Sequence, residues 1–391
     1  MEMKKYKLSE ICDINHSSLK ATDGIGEILY LDTSNITENT IAKLQHFQRK
    51  NAPSRAQRKV QDKTIIFSTV RPNQNHFGIM NQPKDNLIVS SGFTTLDVKN
   101  KNEFDANYVY LKLTQPIIVD YLQTLAQNSV SSYPSINPDD IGNLYFQFPS
   151  LQTQQKIATV LSTLDNKIAL NHRINAKLEA MAKRLYDYWF VQFDFPNSEG
   201  NPYKSSGGKM VWNEVLKREI PEDWEVKRLG DYLKIGNGRD HSKLADGPYP
   251  VYGSGGVMRY VAEFLHDGAT VLFPRKGTLN NVMYRNEPLW TVDTMFYTSA
   301  LIPHSALFVF YSAKMFDFER LNTGTGVPSM TSDIIKKLPI ISPDESILKQ
   351  FDKTVSKVYN RIHHNEKEIK KLTDLRDRLL PLLMNGQVEV K

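Results

Sequence analysis

Two segments of the chain place apolar residues at alternating steps of four and three, the spacing of a coiled-coil seam. The first seam consists of Ile157, Leu161, Leu164, Ile168, Asn171, Asn175, Leu178, Ala182, Leu185 and Trp189. The second consists of Phe351, Val355, Val358, Ile362, Asn365, Ile369, Leu372, Arg376, Leu379 and Leu383. Each segment therefore predicts a helix of about 30 to 40 residues, roughly 45 to 60 Å long.

Asn171 and Asn365 occupy matching positions of the two seams. A polar seam residue lowers stability, but it can select the register and orientation of a helix pair. Two isolated helices with these asparagines in solvent are one interpretation. We favour the other, in which the two helices pair in antiparallel orientation and act as a rigid spacer between domains.

The chain also contains an internal repeat. The segment from Pro134 to Phe190 aligns without gaps with the segment from Pro328 to Met384, which lies 194 positions later, and each copy opens on a Pro-Ser pair. A second match joins residues 7–11 to residues 228–232 at an offset of 221, so the first copy is 27 residues longer ahead of its Pro-Ser pair. Each repeat therefore has a front part of variable length and a helical back part of constant length.

The front parts resemble β-rich α/β units. Strands are predicted at Thr64–Phe67, Asn86–Ser90, Ala269–Phe273 and Ser305–Phe310, a helix at Phe104–Leu113 and a turn at Gly253–Gly256. The stretch after the first helix is rich in Pro, Gly, Ser and Asn, which is typical of a surface linker.

The predicted fold class is α/β, with two β-rich α/β domains in a pseudo-two-fold repeat, separated by two long helices paired as an antiparallel coiled coil. The expected order is a first domain at 1–149, a spacer helix at 150–190, a linker at 191–220, a second domain at 221–343, and a second spacer helix with a C-terminal tail at 344–391.

Composition narrows the class of protein. The 391 residues include 49 Lys and Arg against 43 Asp and Glu, so the formal net charge is +6. A single cysteine, Cys12, excludes a disulfide framework and a cysteine-clustered zinc site. We find neither a signal-peptide core nor an apolar run of membrane-spanning length, so a cytoplasmic protein without a membrane partner is expected.

Catalytic equipment is not evident in the sequence. It has no GxxxxGK[ST] phosphate loop. Glu225-Val226-Lys227 resembles the end of a metal-nuclease motif but lacks an acidic partner upstream. The adjacent His363 and His364 point about 100° apart on a helix and cannot share a metal ion. We therefore predict no catalytic residues, no metal site and no cofactor in this chain, and a binding protein rather than an enzyme.

The positive charge is concentrated in one segment. Residues 43–63 hold seven cations and one acid, interleaved with amides, and without them the chain has 42 basic and 42 acidic residues. Cations and amides together suit phosphate contacts and base-edge recognition, whereas a solvated basic surface is the alternative. Loops after two predicted strands carry similar residues. The DNA-binding candidates are Lys43, Arg49, Lys50, Arg55, Arg58, Lys59, Arg71, Asn73, Asn75, His76, Arg239, His241, Arg275, Lys276 and Asn280.

These features together resemble the specificity subunits of type I restriction-modification systems. The resemblance rests on Phe148–Ile157 (FPSLQTQQKI), Val89–Phe93 (VSSGF), Ile220–Trp224 (IPEDW) and Ile334–Pro343, in the family's order over essentially the whole chain. Ser342–Ser346 departs from the pattern, because it lacks the Gln-Gln of the first copy.

The resemblance implies two target-recognition domains that each recognise half of a split sequence in double-stranded DNA, with the helices setting the unread gap. It also implies that the helices dock two methyltransferase subunits, which use S-adenosylmethionine to methylate adenine N6. A restriction subunit that uses ATP and Mg is a further expected partner. Three alternatives remain at this point: a DNA endonuclease with a divergent metal site, a coiled-coil scaffold that binds proteins, and a stand-alone DNA-binding regulator.

Overall fold

The computed structural model describes residues 3–129, 133–324 and 326–390. These residues form two compact units. Unit 1 comprises residues 1–169 together with 369–391, and unit 2 comprises residues 170–368. The chain therefore leaves unit 1 along one long helix and returns to it along another, as two spacer helices in a repeat require.

Unit 1 begins with a β-rich region and ends in the first long helix. Its strands are β1 (Lys4–Lys7), β2 (Cys12–Ile14), β3 (Glu27–Leu31), β4 (Ile36–Thr37), β5 (Thr40–Ile41), β6 (Gln45–Gln48), β7 (Ala56–Lys59), β8 (Ile65–Ser68), β9 (Phe77–Ile79), β10 (Leu87–Ser90), β11 (Phe93–Val98) and β12 (Tyr145–Phe148). Its helices are α1 (Leu8–Ile11), α2 (Ala106–Leu113), α3 (Pro116–Gln127), α4 (Pro138–Gly142) and the first part of α5 (Leu151–Tyr186).

Two four-stranded sheets dominate unit 1. The order β2-β11-β8-β9 is antiparallel throughout, whereas the order β6-β3-β10-β7 contains the parallel pair β3 and β10. The first sheet packs on α2 and α3 in a core that includes Phe67, Tyr108 and Leu122. Helix α2 begins where the Asp105 carboxylate accepts a hydrogen bond from the Tyr108 amide, and α3 begins at Pro116, which lacks an amide to leave unpaired.

Unit 2 repeats this plan. Its strands are β13 (Met210–Asn213), β14 (Arg218–Pro221), β15 (Glu225–Arg228), β16 (Leu233–Asn237), β17 (Asp246–Gly253), β18 (Gly256–Val261), β19 (Ala269–Pro274), β20 (Met283–Asn286), β21 (Trp290–Thr291), β22 (Met295–Ala300) and β23 (Pro339–Ser342). Its helices are α6 (Leu229–Tyr232), α7 (Ala306–Ala313), α8 (Ser332–Lys337) and most of α9 (Glu345–Met384).

The sheet orders confirm the internal repeat. Unit 2 has the order β16-β22-β19-β20, the same path as β2-β11-β8-β9, and the pair β15 and β23 matches the pair β1 and β12. The parallel pair also recurs, as β17 with β21. The variable front parts therefore share the order of one four-stranded sheet and a parallel pair, although the second sheet has four strands in unit 1 and three, β18-β17-β21, in unit 2.

Most predicted elements are confirmed, and one is wrong. The strands near residues 65, 87 and 269 and the helix near 106 are present, and Ser254 and Gly255 form the turn between β17 and β18. Ser305–Phe310, predicted as a strand, instead lies largely within α7. Every residue from Leu307 to Ala313 is buried in this helix. An apolar run without polar interruptions carries no period, so a fully buried helix reads like a strand.

The range 191–220, predicted as a linker, contains packed structure. Strands β13 and β14 form an antiparallel hairpin within it. Phe193 and Phe195 are buried in the core of unit 2, and the Phe195 ring stacks on Trp224 with centroids 4.6 Å apart. The polar residues of this segment thus alternate with aromatic residues that anchor it.

The long helices run antiparallel within each unit. In unit 2, Asn171 of α5 contacts Glu368 of α9, and Asn175 contacts Ile362. Residue numbers therefore increase along α5 as those of their partners decrease along α9, which makes the two helices antiparallel. In unit 1, Asp165 and Arg376 form an ion pair at 3.1 Å. Helix α9 extends past Pro381 to Met384, and Leu383 and Met384 are buried beside Ile157 and Leu161. The antiparallel pairing favoured from the seam asparagines is present.

Candidate nucleic-acid interface

A loop follows the end of β8 in unit 1 and is held by three backbone hydrogen bonds. The Thr69 amide donates to the Gly92 carbonyl at 2.9 Å, and the Arg71 amide donates to the Pro134 carbonyl at 2.9 Å. In return, the Ile136 amide donates to the Thr69 carbonyl at 2.9 Å. The Pro-Ser pair of the first repeat thus fastens this segment, Thr69–Arg71, which we name the first loop.

The same three bonds recur in unit 2 after β19. The Arg275 amide donates to Thr294 at 2.8 Å, the Gly277 amide donates to Pro328 at 3.1 Å, and the Met330 amide donates to Arg275 at 2.9 Å. The second Pro-Ser pair therefore fastens Arg275–Gly277, which we name the second loop. The two loops are equivalent bond for bond, with Thr69, Val70 and Arg71 corresponding to Arg275, Lys276 and Gly277.

The second loop lies among several other loops of unit 2. The Arg239 amide donates to the Thr291 carbonyl at 2.9 Å, which joins Arg239 to the end of β21. The β17–β18 turn reaches the second loop, because a Cβ added at Gly277 would lie 2.8 Å from Ser254 Oγ. A cleft of about 550 Å³ lies on this face, lined by residues that include His241, Ser254 and Thr294. The structure thus brings Arg239, His241, Arg275 and Lys276 to one face.

The cations of this face are available for a ligand. Arg239, Arg275 and Lys276 are exposed, and across residues 3–129, 133–324 and 326–390 none of their side chains forms an ion pair or hydrogen bond. Asn280 differs, since its amide group donates to Asp317 at 3.2 Å and accepts from the Phe318 amide at 2.8 Å. This hydrogen bond lowers the pKa of Asp317. Asn280 therefore fastens the Asp317–Phe318 turn.

In unit 1, two arginines lie near the first loop. The exposed Arg71 places its guanidinium over the Tyr133 ring, 5.5 Å from the centroid. Arg55 reaches Gly92, whose carbonyl receives the first loop, so that a Cβ at Gly92 would lie 2.9 Å from Arg55 Nη2. Arg55 thus lies at the Gly92 turn, to which Thr69 of the first loop is bonded, two residues before Arg71.

The polar residues after Arg71 are mostly occupied by local structure. Asn75 donates from Nδ2 to Glu38 at 2.8 Å, and His76 Nδ1 lies 2.6 Å from the Ile36 carbonyl. Both side chains therefore hold the β4–β5 hairpin in place. Asn73 remains exposed, and its backbone amide donates to Gln123 at 3.2 Å.

The basic segment 43–63 contains both locally bonded and exposed cations. It supplies β6 and β7, which lie at opposite edges of one sheet. Arg49 donates to the Lys20 carbonyl at 2.5 Å, Lys59 pairs with Asp23 at 3.4 Å, and half-buried Arg58 points toward Ser18 at 3.5 Å. Hydrogen bonding from the Lys20 amide, followed by Lys59, lowers the pKa of Asp23. Lys43, Lys50 and Arg55 remain exposed.

Two features of the interface were missed by sequence reasoning. Ser254 and Gly255 read as a turn, but nothing in the sequence indicates that this turn packs on Gly277. Tyr133 carries no pattern that pairs it with Arg71. The Pro-Ser repeat was the available signal, since the residue before each serine receives the amide of a loop.

The predicted seam residues lie along the helix contacts, and none is exposed. Buried positions are Ile157, Leu161, Asn171, Val355, Ile362 and Asn365, and half-buried positions are Leu164, Ile168, Leu178, Leu185, Val358, Leu372 and Leu379. Asn365 donates from Nδ2 to Asn175 Oδ1 at 2.7 Å, and Asn171 donates to Glu368 at 3.1 Å. The seam of unit 2 therefore has a polar centre.

The described ranges, 3–129, 133–324 and 326–390, hold neither a clustered metal site nor a membrane-spanning helix. No group of three His, Cys, Asp or Glu side chains there is arranged to hold a metal ion. None of the helices in those ranges has the length and apolar character needed to cross a membrane.

The fold and these loops define a protein of two α/β units with related sheet orders and equivalent loops, which the long helices connect along the chain. Residues 1–180 and 221–374 match the family described as the type I restriction modification DNA specificity domain. The chain belongs to this family.

Relatives of known name agree with this assignment. The chain is 23% identical to the type I restriction enzyme HindI specificity subunit of Haemophilus influenzae, over 99% of this chain and 100% of that protein. It is 25% identical to the MjaIX specificity subunit of Methanocaldococcus jannaschii, over 84% and 78%. The crystal structure of the S subunit from M. genitalium has the same fold, with a TM-score of 0.64 at 16% identity and coverage of 98% and 96%.

Proposed function

We propose that this chain is the DNA specificity subunit of a type I restriction-modification complex, and that each unit recognises one half of a bipartite site. The observation that carries the proposal is the bond-for-bond equivalence of the first and second loops. Two equivalent loops with different side chains suit two half-sites that differ in sequence, because base identity is selected by side chains at the base edges.

The long helices supply the spacer of this proposal. They are antiparallel in each unit, and their seam holds buried asparagines at defined partners. A helix pair with a single register has a defined length, so it suits the role of setting the gap between half-sites. We further propose that these helices dock two methyltransferase subunits, and that a restriction subunit joins the complex.

The chemistry in this proposal belongs to the partners. The chain itself would act without catalysis in the cytoplasm, and S-adenosylmethionine, ATP and Mg would be bound by the partner subunits. The described ranges offer exposed cations in loops rather than a cluster of acids and histidines, which suits recognition of DNA.

Methylome sequencing tests the proposal directly. A host that expresses this chain with its methyltransferase partner should show methylated adenines in a split motif, and deletion of the chain alone should abolish that motif. Persistence of every split motif after the deletion would refute the proposed function. Magnesium-dependent DNA cleavage by the purified chain alone would favour an endonuclease instead, and failure to bind DNA with the partner present would favour a protein scaffold.

A further inference from the structure

Arg71 adopts a backbone conformation that its side chain disfavours. Its φ is +49°, in the left-handed region that glycine adopts readily and other residues rarely do. It also precedes Pro72, and a residue before proline is normally extended. The equivalent position in unit 2 is Gly277, with φ of +87°. The third position of both loops therefore calls for glycine, and unit 1 holds an arginine there.

The steric surroundings of this position differ between the units. In unit 2, the β17–β18 turn approaches Gly277, so that a Cβ there would meet Ser254 Oγ at 2.8 Å and the serine side chain would have to move. In unit 1, Arg71 is exposed, and Tyr133 supports its guanidinium from one side. The guanidinium forms no ion pair with any residue in the described ranges, so the fold gains little from it.

Non-glycine residues in left-handed conformations concentrate at functional sites, where the side chain has a use that offsets the strain. An exposed, aromatic-supported guanidinium presents two parallel N–H donors, which match O6 and N7 of guanine in the major groove. The second loop has its cations at the first and second positions, as Arg275 and Lys276, and glycine at the third.

We propose that Arg71 is a base-reading residue for the half-site of unit 1, and that the two loops read different bases because their cations occupy different positions of the same scaffold. This inference rests on the proposed function. Beyond that function, it identifies Arg71 as the residue of unit 1 that discriminates between bases, and it gives a reason for the strained backbone of Arg71.

The test uses three variants, each expressed with the methyltransferase partner. They are Arg71→Gly, Arg71→Lys, and a double variant of unit 2 that combines Arg275→Ala and Lys276→Ala. Methylome sequencing should show that Arg71→Gly relaxes one half of the motif, and duplex competition should show discrimination at that position reduced about 10- to 100-fold. The double variant in unit 2 should relax only the other half. Arg71→Lys keeps the charge without the planar fork, so it should also relax the base preference.

Stability separates this role from a structural one. Glycine is at ease in the left-handed region, so Arg71→Gly should leave Tm unchanged or raise it. A lower Tm with both half-sites weakened would assign Arg71 to structure and overturn the proposal. An unchanged motif, or a wild-type preference in Arg71→Lys, would overturn it as well. A wild-type chain that yields no split motif would instead refute the proposed function, so the two failures are distinguishable.

Discussion

Replacing Asn175 by alanine should destabilise unit 2 sharply, because it leaves the buried side-chain amide of Asn365 without a hydrogen-bond partner. Asn365 is 0% exposed, and among residues 3–129, 133–324 and 326–390 its Nδ2 donates only to Asn175 Oδ1, at 2.7 Å. Its own Oδ1 is buried and has no hydrogen-bond partner in the described ranges. In Asn175→Ala the whole carboxamide of Asn365 would therefore lack partners, while the backbone of both helices stays as it is.

The magnitude follows from the cost of buried polar groups. A buried donor left unpaired costs about 1–3 kcal/mol, and here the donor belongs to an amide that is already half unsatisfied, so we expect about 2–3 kcal/mol. For a unit of roughly 200 residues this lowers Tm by roughly 5–10 °C. Replacing both asparagines by leucine should recover most of this loss, because an apolar seam leaves nothing unpaired.

The assay is thermal and urea unfolding of the wild type, Asn175→Ala, Asn365→Ala and the variant that combines these two changes, with the double leucine variant measured beside them. The double-mutant cycle should give a coupling energy of about 2 kcal/mol between Asn175 and Asn365. Asn171→Ala is the matched control, since Asn171 also lies in the seam but donates to Glu368, a half-buried carboxylate that water can reach. We expect that control to cost about 1 kcal/mol or less. Equal losses in the two alanine variants, or additivity in the cycle, would refute the reasoning.

Three further predictions concern other parts of the chain. Burial lowers the pKa of Lys112 to about 8, so above that pH the unfolded chain binds more protons than the folded chain. From pH 7 to 9.5 the wild type should therefore gain stability relative to Lys112→Met in thermal melts. Parallel curves of Tm against pH for the two proteins would contradict this. Burial raises the pKa of Cys12 to about 12; a thiol reagent at pH 8 should therefore label it only after denaturant is added, and labelling of the native protein would contradict this. Matched four-residue insertions after Asn171 and Asn365 add about 6 Å to each helix. The gap between the two halves of the methylated DNA motif should then lengthen by about two base pairs, as read by methylome sequencing. An unchanged gap would count against the spacer role.

The candidate interface was only partly predictable from sequence. Arg239, Arg275 and Lys276 were identified as polar residues in loops after strands, and the structure places all three on one exposed face. Asn75, His76 and Asn280 have the same residue types in the same context, yet their side chains fasten local turns. Residue type and position after a strand do not distinguish the two cases, because the partner of an amide or imidazole lies elsewhere in the chain.

The charge of residues 43–63 shows a similar limit. Seven cations in 21 positions form a cluster in the sequence, and strands β6 and β7 of this segment lie at opposite edges of one sheet. Arg49, Arg58 and Lys59 then contact the nearby segment from Asn15 to Asp23. Three of the seven cations are therefore used by contacts within the fold, which their clustering in the sequence does not indicate.

The sequence by itself determined the two long helices and their polar seam, since helix geometry imposes the regular spacing of the seam residues. It also determined the repeat, since the two copies align without gaps. Only the tertiary structure decided that α7 is a helix, because a run buried on every side carries no period. It also decided which loops meet. The contacts of Gly277 with Ser254 and Pro328 depend on sheet order and on hydrogen bonds between distant segments, which no local pattern of residues encodes.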